Sequence, residues 1–201
     1  MKKGVLVGCS VAGVILLLVV ILVIWGVNVY NNLVTLNENV DQRWSQVENQ
    51  YQRRADLIPN LVSTVKGYAE HEREVLTQVT QARASVGQIN ATPEILNDPN
   101  AFQKYQQAQS NLRSALDRLM VVVENYPNLK ANENFLQLQA QLEGTENRIA
   151  VERMKFNESV QQFNTVVKRF PAAIFAGITG FNEKQYFKSA PGAETVPKVE
   201  F

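Results

Sequence analysis

The sequence predicts an all-α protein: an N-terminal transmembrane helix running into an antiparallel bundle of three long helices, the first kinked at Pro59. Three observations predict it. An apolar run fills residues 5–27, apolar residues recur at sevens through residues 33–82 and again through 135–170, and turn-forming residues gather at few places.

The apolar run follows Met1-Lys2-Lys3 and is broken only by small residues and Ser10. It is longer than a cleavable signal core and reaches ~35 Å as a helix, enough to cross a bilayer. Trp25 and Tyr30 mark its far interface, where amphipathic rings settle. Lys2 and Lys3 precede the span, whereas residues 28–42 bring Glu38 and Asp41 and no basic residue. The positive-inside bias therefore keeps the amino terminus cytoplasmic and puts the bundle on the far, exported side of the membrane, with the reverse orientation as the alternative. Gly4, Gly8 and Ala12 form a small-xxx-small stripe that favours self-association of the span, hence a homo-oligomer. Cys9, the one cysteine, ends a stretch spelled like a lipoprotein box. The apolar run lies mostly after it, so it reads as a membrane-helix residue, and its solitude excludes intramolecular disulfides and a cysteine metal cluster.

No glycine or proline occurs between Val27 and Pro59, so the membrane helix is expected to continue outward over residues 28–86, about 88 Å if straight. One seam reads Leu33, Val40, Val47, Arg54, Leu61, Tyr68, Val75 and Ala82. The other reads Tyr51, Ile58, Val65, Glu72, Val79 and Val86. Pro59 removes one donor and crowds the preceding turn, at ~3 kcal/mol in a helix interior. The phase is kept across it and no hairpin residues stand there, so a kink is expected; a break there would give a four-helix up-and-down bundle.

Gly87, Asn90, Thr92-Pro93 and residues 97–100 end the first helix, and Asp98 with Pro99 reads as the next start. Helix two covers residues 99–126, with Gln109 as its one polar seam position. Helix three starts at Asn132 and Phe135, and its seam repeats by sevens: Phe135, Leu142, Ile149, Phe156, Phe163, Phe170. Short loops make these helices antiparallel neighbours with coiled-coil-like packing. Phe156→Ala is expected to cost about 3–5 kcal/mol. The division is then 1–29 cytoplasmic end and span, 30–171 bundle, and 172–201 apolar segment and tail. The apolar segment, with Ile174, Phe175, Ile178 and Phe181, is expected to dock on the bundle or on a partner.

Formal charge is +1, without the basic face that nucleic acid requires. Asn and Gln make up roughly a fifth of the chain, a solvated or laterally adhesive helix surface. His71 is the single histidine: Tyr68 spoils a Glu-x-x-His di-iron motif and Val75 a His-Glu-x-x-His zinc motif. No Gly-rich phosphate loop is present. The reading is therefore non-enzymatic, with no catalytic residue, metal or cofactor. Arg54, Glu72, Thr145 and Glu152 occupy core-register positions, and a buried charge must be paired, so Arg54 is expected to meet Glu146 or Glu152. Candidate partner- or ligand-binding residues are Arg53, Arg54, Asp56, Asn60, Lys66, His71 and Glu72 near the kink, with Glu146 and Arg148 on helix three. Asn157-Glu158-Ser159 is a glycosylation sequon in spelling only.

The phrases YNNLV (30–34), RRADLIPNLV (53–62), KGYAEHE (66–72), ARA (82–84), EGTENRIA (143–150) and the tail PKVEF resemble the LemA family of bacterial membrane proteins over nearly the whole chain. The resemblance implies a single-pass protein with a helical-bundle domain, related to a protein involved in magnetosome formation, and no reaction to carry over. The expectation is a membrane-anchored scaffold or organiser of envelope proteins. Its partners are membrane lipid through the span, further copies of itself and unidentified envelope proteins, with no nucleic acid. The alternative is a sensor or small-ligand or ion-binding module built on the polar residues near Pro59.

Overall fold

The computed structural model describes the backbone of residues 2–69 and 71–188, with side chains from Gly13 onward. The packing of Gly4, Gly8, Cys9 and Ala12, and the tail from residue 189, lie outside the described residues. The chain is all-α: α1 is Lys2–Lys66, α2 Arg73–Gly87, α3 Pro99–Val123, α4 Pro127–Lys130, α5 Glu133–Lys168 and α6 Ala172–Thr179, with a 3-10 turn at Pro93–Asn97.

The first helix passes Pro59 without a break. Its 65 residues reach about 98 Å. The helix ends instead at 67–72, where Tyr68 and Ala69 both donate their N–H to the Val65 carbonyl and the chain reverses into α2. The expected single helix over 28–86 is thus two, and the four-helix up-and-down alternative is realised eight residues after the proline. Sevenfold spacing survived the reversal because α2 buries Leu76 and Val79 on its own account, and a heptad count cannot tell a continuing helix from a returning one. Tyr68, read as a seam residue, is exposed in the turn, and Phe170 is exposed beyond the end of α5.

Contacts between helices fix their directions. Trp44 meets Phe102 and Phe156, Arg54 meets Gln109 and Glu146, and Glu72 meets Tyr126, so α1 and α3 ascend while α5 descends. Arg83 beside Ala55 makes α2 the other descending helix. The starts of α3 and α5 are capped as their sequences require: Asp98 accepts from the N–H groups of Asn100 and Ala101, and Asn132 from that of Phe135.

Two apolar cores result. The lower gathers Leu33, Val40, Trp44, Val47, Phe102, Tyr105, Phe156 and Phe163. The upper gathers Ile58, Leu61, Val65, Leu112, Leu119, Phe135 and Leu142. Below both, Val14–Ile24 and Val27 are exposed on all sides of α1, part of a helix long and apolar enough to cross a membrane. The segment after Pro171 packs on its own bundle. Phe175 lies edge-on to Trp25 at 5.1 Å and occupies the space over Gly26, where a Cβ would come within 2.7 Å of its ring. Gly180 ends α6 at φ 80°, a left-handed cap that suits glycine. From there residues 181–188 run extended along α5, and Phe187 plugs the lower core against Trp44, Phe102 and Phe156.

Candidate functional site

Polar side chains gather at three levels. The middle level separates the two apolar cores. Arg54 is 2% exposed. Its Nη1 donates to Glu146 Oε1 at 2.6 Å, and its Nη2 donates to the Gln109 side-chain oxygen and, at 3.4 Å, to the Gln109 carbonyl. The guanidinium lies 5.1 Å from the Tyr51 ring centroid. Beside it Arg148 donates to buried Thr145 and to Gln50, both at 3.3 Å. Burial pushes the phenols of Tyr51 and Tyr105 upward, so both stay neutral donors. Arg54 Nε and Gln109 Nε2 are buried without a hydrogen-bond partner. Arg54 is sealed among α1, α3 and α5 and tied to the last two by charge-assisted hydrogen bonds, a geometry that fits a register-fixing layer.

The upper level is the α1–α2 turn. Tyr126 donates its hydroxyl to Glu72 and Asn132 donates to the Tyr68 hydroxyl, each at 2.9 Å. The bond to Glu72 raises the Tyr126 phenol. Lys66 and His71 are exposed here, and Glu72, expected in the core register, is only half-buried. Arg53, Asp56 and Asn60 are exposed on α1, with Asp56 accepting from Gln52 at 2.8 Å. Glu152, the other carboxylate considered for Arg54, pairs with Lys155 at 2.7 Å. The structure thus joins Arg54, Glu146 and Arg148 at mid-height, puts Lys66, His71 and Glu72 at the turn, and leaves the rest on the outer face of α1. They do not line one pocket.

The third level, missed in the sequence, is a half-open cleft of about 360 Å³ in the lower bundle, lined by Asn37, Asp41, Pro93, Glu94, Asn97, Phe163, Gly180, Phe181, Asn182 and Lys184. Asp41 Oδ2 accepts from Asn37 at 2.9 Å, while Oδ1 is buried with no hydrogen-bond partner. Burial raises the Asp41 carboxyl, against the opposing pull of Lys184. Burial likewise lowers the Lys184 ammonium, which Asp41 and Glu94 hold up in part. Glu94, bonded to Thr92, is held below the usual carboxylate range.

Two asparagines build this corner. Asn164 exchanges hydrogen bonds with the backbone N–H and carbonyl of Lys184, and Asn157 does the same for Phe187, all at 2.9 Å. The sequon asparagine is therefore an internal clamp. The available signal was a pair of asparagines one heptad apart on α5 and a lysine set between Phe181 and Phe187. Among the described residues no group of three or more His, Cys, Asp or Glu side chains is placed to hold a metal ion.

Comparison with known proteins gives consistent relatives. The family model described as the LemA family matches residues 43–201. The magnetosome protein MamQ of Magnetospirillum gryphiswaldense is 29% identical over 182 residues, covering 83% of this chain and 67% of that protein. The magnetosome protein MamQ 2 of Paramagnetospirillum magneticum is 28% identical with the same coverage. Protein LemA of Metamycoplasma hominis is 23% identical over 140 residues, covering 70% of this chain and 60% of its own length.

Proposed function

The chain belongs to the LemA family, and from that premise we propose that this membrane-associated protein works without catalysis, as an anchored helical bundle that organises envelope proteins. The observation that carries the proposal is the unbroken helix Lys2–Lys66, which passes from the apolar band straight into the bundle. A helix shared by anchor and domain holds the domain at a fixed height and angle, as a docking platform requires. The mid-height charges support the same reading, since Arg54 is paired with Gln109 and Glu146 inside the bundle rather than presented to a ligand. In this reading the anchor sits in the bacterial inner membrane with the bundle outside it, and copies associate through their spans. Crosslinking in intact membranes followed by affinity purification tests it: recovery of higher assemblies with defined envelope proteins is expected, and recovery of isolated monomers alone overturns it.

A sensor or small-ligand role is the second reading, favoured by one observation: the buried, partnerless Asp41 oxygen in the lower cleft. In that reading the ligand carries an ammonium or other cationic donor, and the site lies around Asp41 and Lys184, away from Pro59. A thermal shift with ammonium or free amino acids that disappears in Asp41→Asn supports it, and the absence of any shift counts against it.

A further inference from the structure

We propose that α6 is a second membrane contact, a short helix lying in the lipid headgroup boundary beside the anchor. Phe170, Ile174 and Ile178, four residues apart, are 79%, 54% and 78% exposed. Ile174 and Ile178 lie one turn apart on one face of this uncharged helix, and Phe170 precedes it in the bend after α5; side chains of this size left exposed make a surface that water solvates poorly. The opposite side of α6 is occupied, since Ala176 is buried and Phe175 covers Trp25 and Gly26.

Position names the occupant. α6 is fixed to α1 at residues 25–26, where the exposed apolar band of α1 ends and its interfacial tryptophan stands. The exposed face of α6 thus continues the lipid-facing surface of α1 at the level where the hydrocarbon gives way to headgroups. Arg169 is exposed one residue before Phe170, and Tyr30 is exposed on α1 just above Trp25. A basic group and an amphipathic ring beside buried aliphatic chains are what an interfacial helix presents to phospholipid. At eight residues α6 is too short to span, so it lies in the boundary and gives the bundle a second foot.

The proposal rests on α1 being the anchor, and the test reads the two separately. The full chain carrying Cys9→Ser receives a nitroxide at Ile174→Cys or Ile178→Cys, with Val19→Cys reporting the anchor and Val121→Cys the far end of the bundle. In vesicles of phosphatidylethanolamine and phosphatidylglycerol, collision with oxygen, which concentrates in lipid, is compared with collision with a water-soluble nickel chelate. Oxygen is expected to dominate at 19, 174 and 178, and nickel at 121. Nickel dominance at 174 and 178 with oxygen dominance at 19 overturns the proposal and leaves the anchor standing. Nickel dominance at all three overturns both. Spin–spin broadening at 174 or 178 that vanishes on dilution with unlabelled chain makes a second copy the occupant and also overturns it.

Discussion

Arg83 donates its Nε–H to the carbonyl oxygen of Ala55 at 2.8 Å, and that carbonyl is the one Pro59 leaves without its helical donor. In an α-helix the N–H of residue 59 bonds the C=O of residue 55, and proline has no N–H. A side chain from the returning helix α2 supplies the missing proton. Pro59 therefore sits in an unbroken helix because a neighbour offsets its defect, and α2 is docked on α1 by the same bond.

A double-mutant cycle isolates this coupling. Arg83→Met in the natural chain is expected to cost about 1–2 kcal/mol, the modest end of the range for a charged donor because Arg83 is half-buried. In Pro59→Ala the Ala55 carbonyl regains a backbone donor, so the same Arg83→Met should cost clearly less. Urea unfolding of the four proteins measures it. Equal costs in both backgrounds would mean that Arg83 acts through packing alone.

The Arg54 layer makes an opposite pair of predictions. Glu146→Leu leaves a guanidinium buried without its carboxylate and should cost about 3–5 kcal/mol. Replacing the whole layer at once, Arg54→Leu with Gln109→Leu and Glu146→Leu, should be neutral or stabilising by about 1–4 kcal/mol, as for other buried ion pairs exchanged for apolar packing. Denaturant unfolding gives both values. A triple variant as damaged as the single one would refute the view that this layer fixes register rather than supplying stability.

Asn157 and Asn164 hold residues 181–188 through four backbone hydrogen bonds. Changing either to Ala orphans a backbone N–H and carbonyl, at about 1–3 kcal/mol for each unsatisfied buried group. Hydrogen exchange should show the amides of Lys184 and Phe187 losing protection first, with the amides of α3 unchanged. Loss spread evenly through the bundle would mean that the segment is not an independent clasp.

Helix identity and core positions were legible in the sequence because a buried seam repeats at a fixed period. Leu33, Val40, Val47 and Leu61 are all fully buried and all lie at sevens. The carboxylate facing Arg54 was narrowed to two, Glu152 on the opposing seam and Glu146 just beside it, and the one beside the seam is the partner. The reversal at 67–72 was not legible, because Gly67 and the polar residues after it are compatible with either a continuing helix or a turn. The lower cleft was hidden for a different reason. It brings Asp41 and Lys184 together from distant parts of the sequence, and no local pattern encodes a contact made by an extended segment without a period of its own.

Asp41 supplies the last prediction. Its carboxyl is raised, chiefly by burial, so folding favours the protonated form, and its contribution is most favourable below the ordinary aspartate pKa of 3.8. As pH climbs through the raised folded-state value, the ionised form is left partly desolvated with one oxygen unpartnered, and stability is lost. Asp41→Asn keeps the shape and the neutral state at every pH. The variant should therefore melt above the natural protein at pH 7, and the gap should narrow as pH falls toward 3.8. Scanning calorimetry across that window measures it. A gap that stays constant with pH would show that the ionised carboxylate is fully compensated by Lys184, and that the cleft holds a balanced ion pair rather than an unmet acceptor.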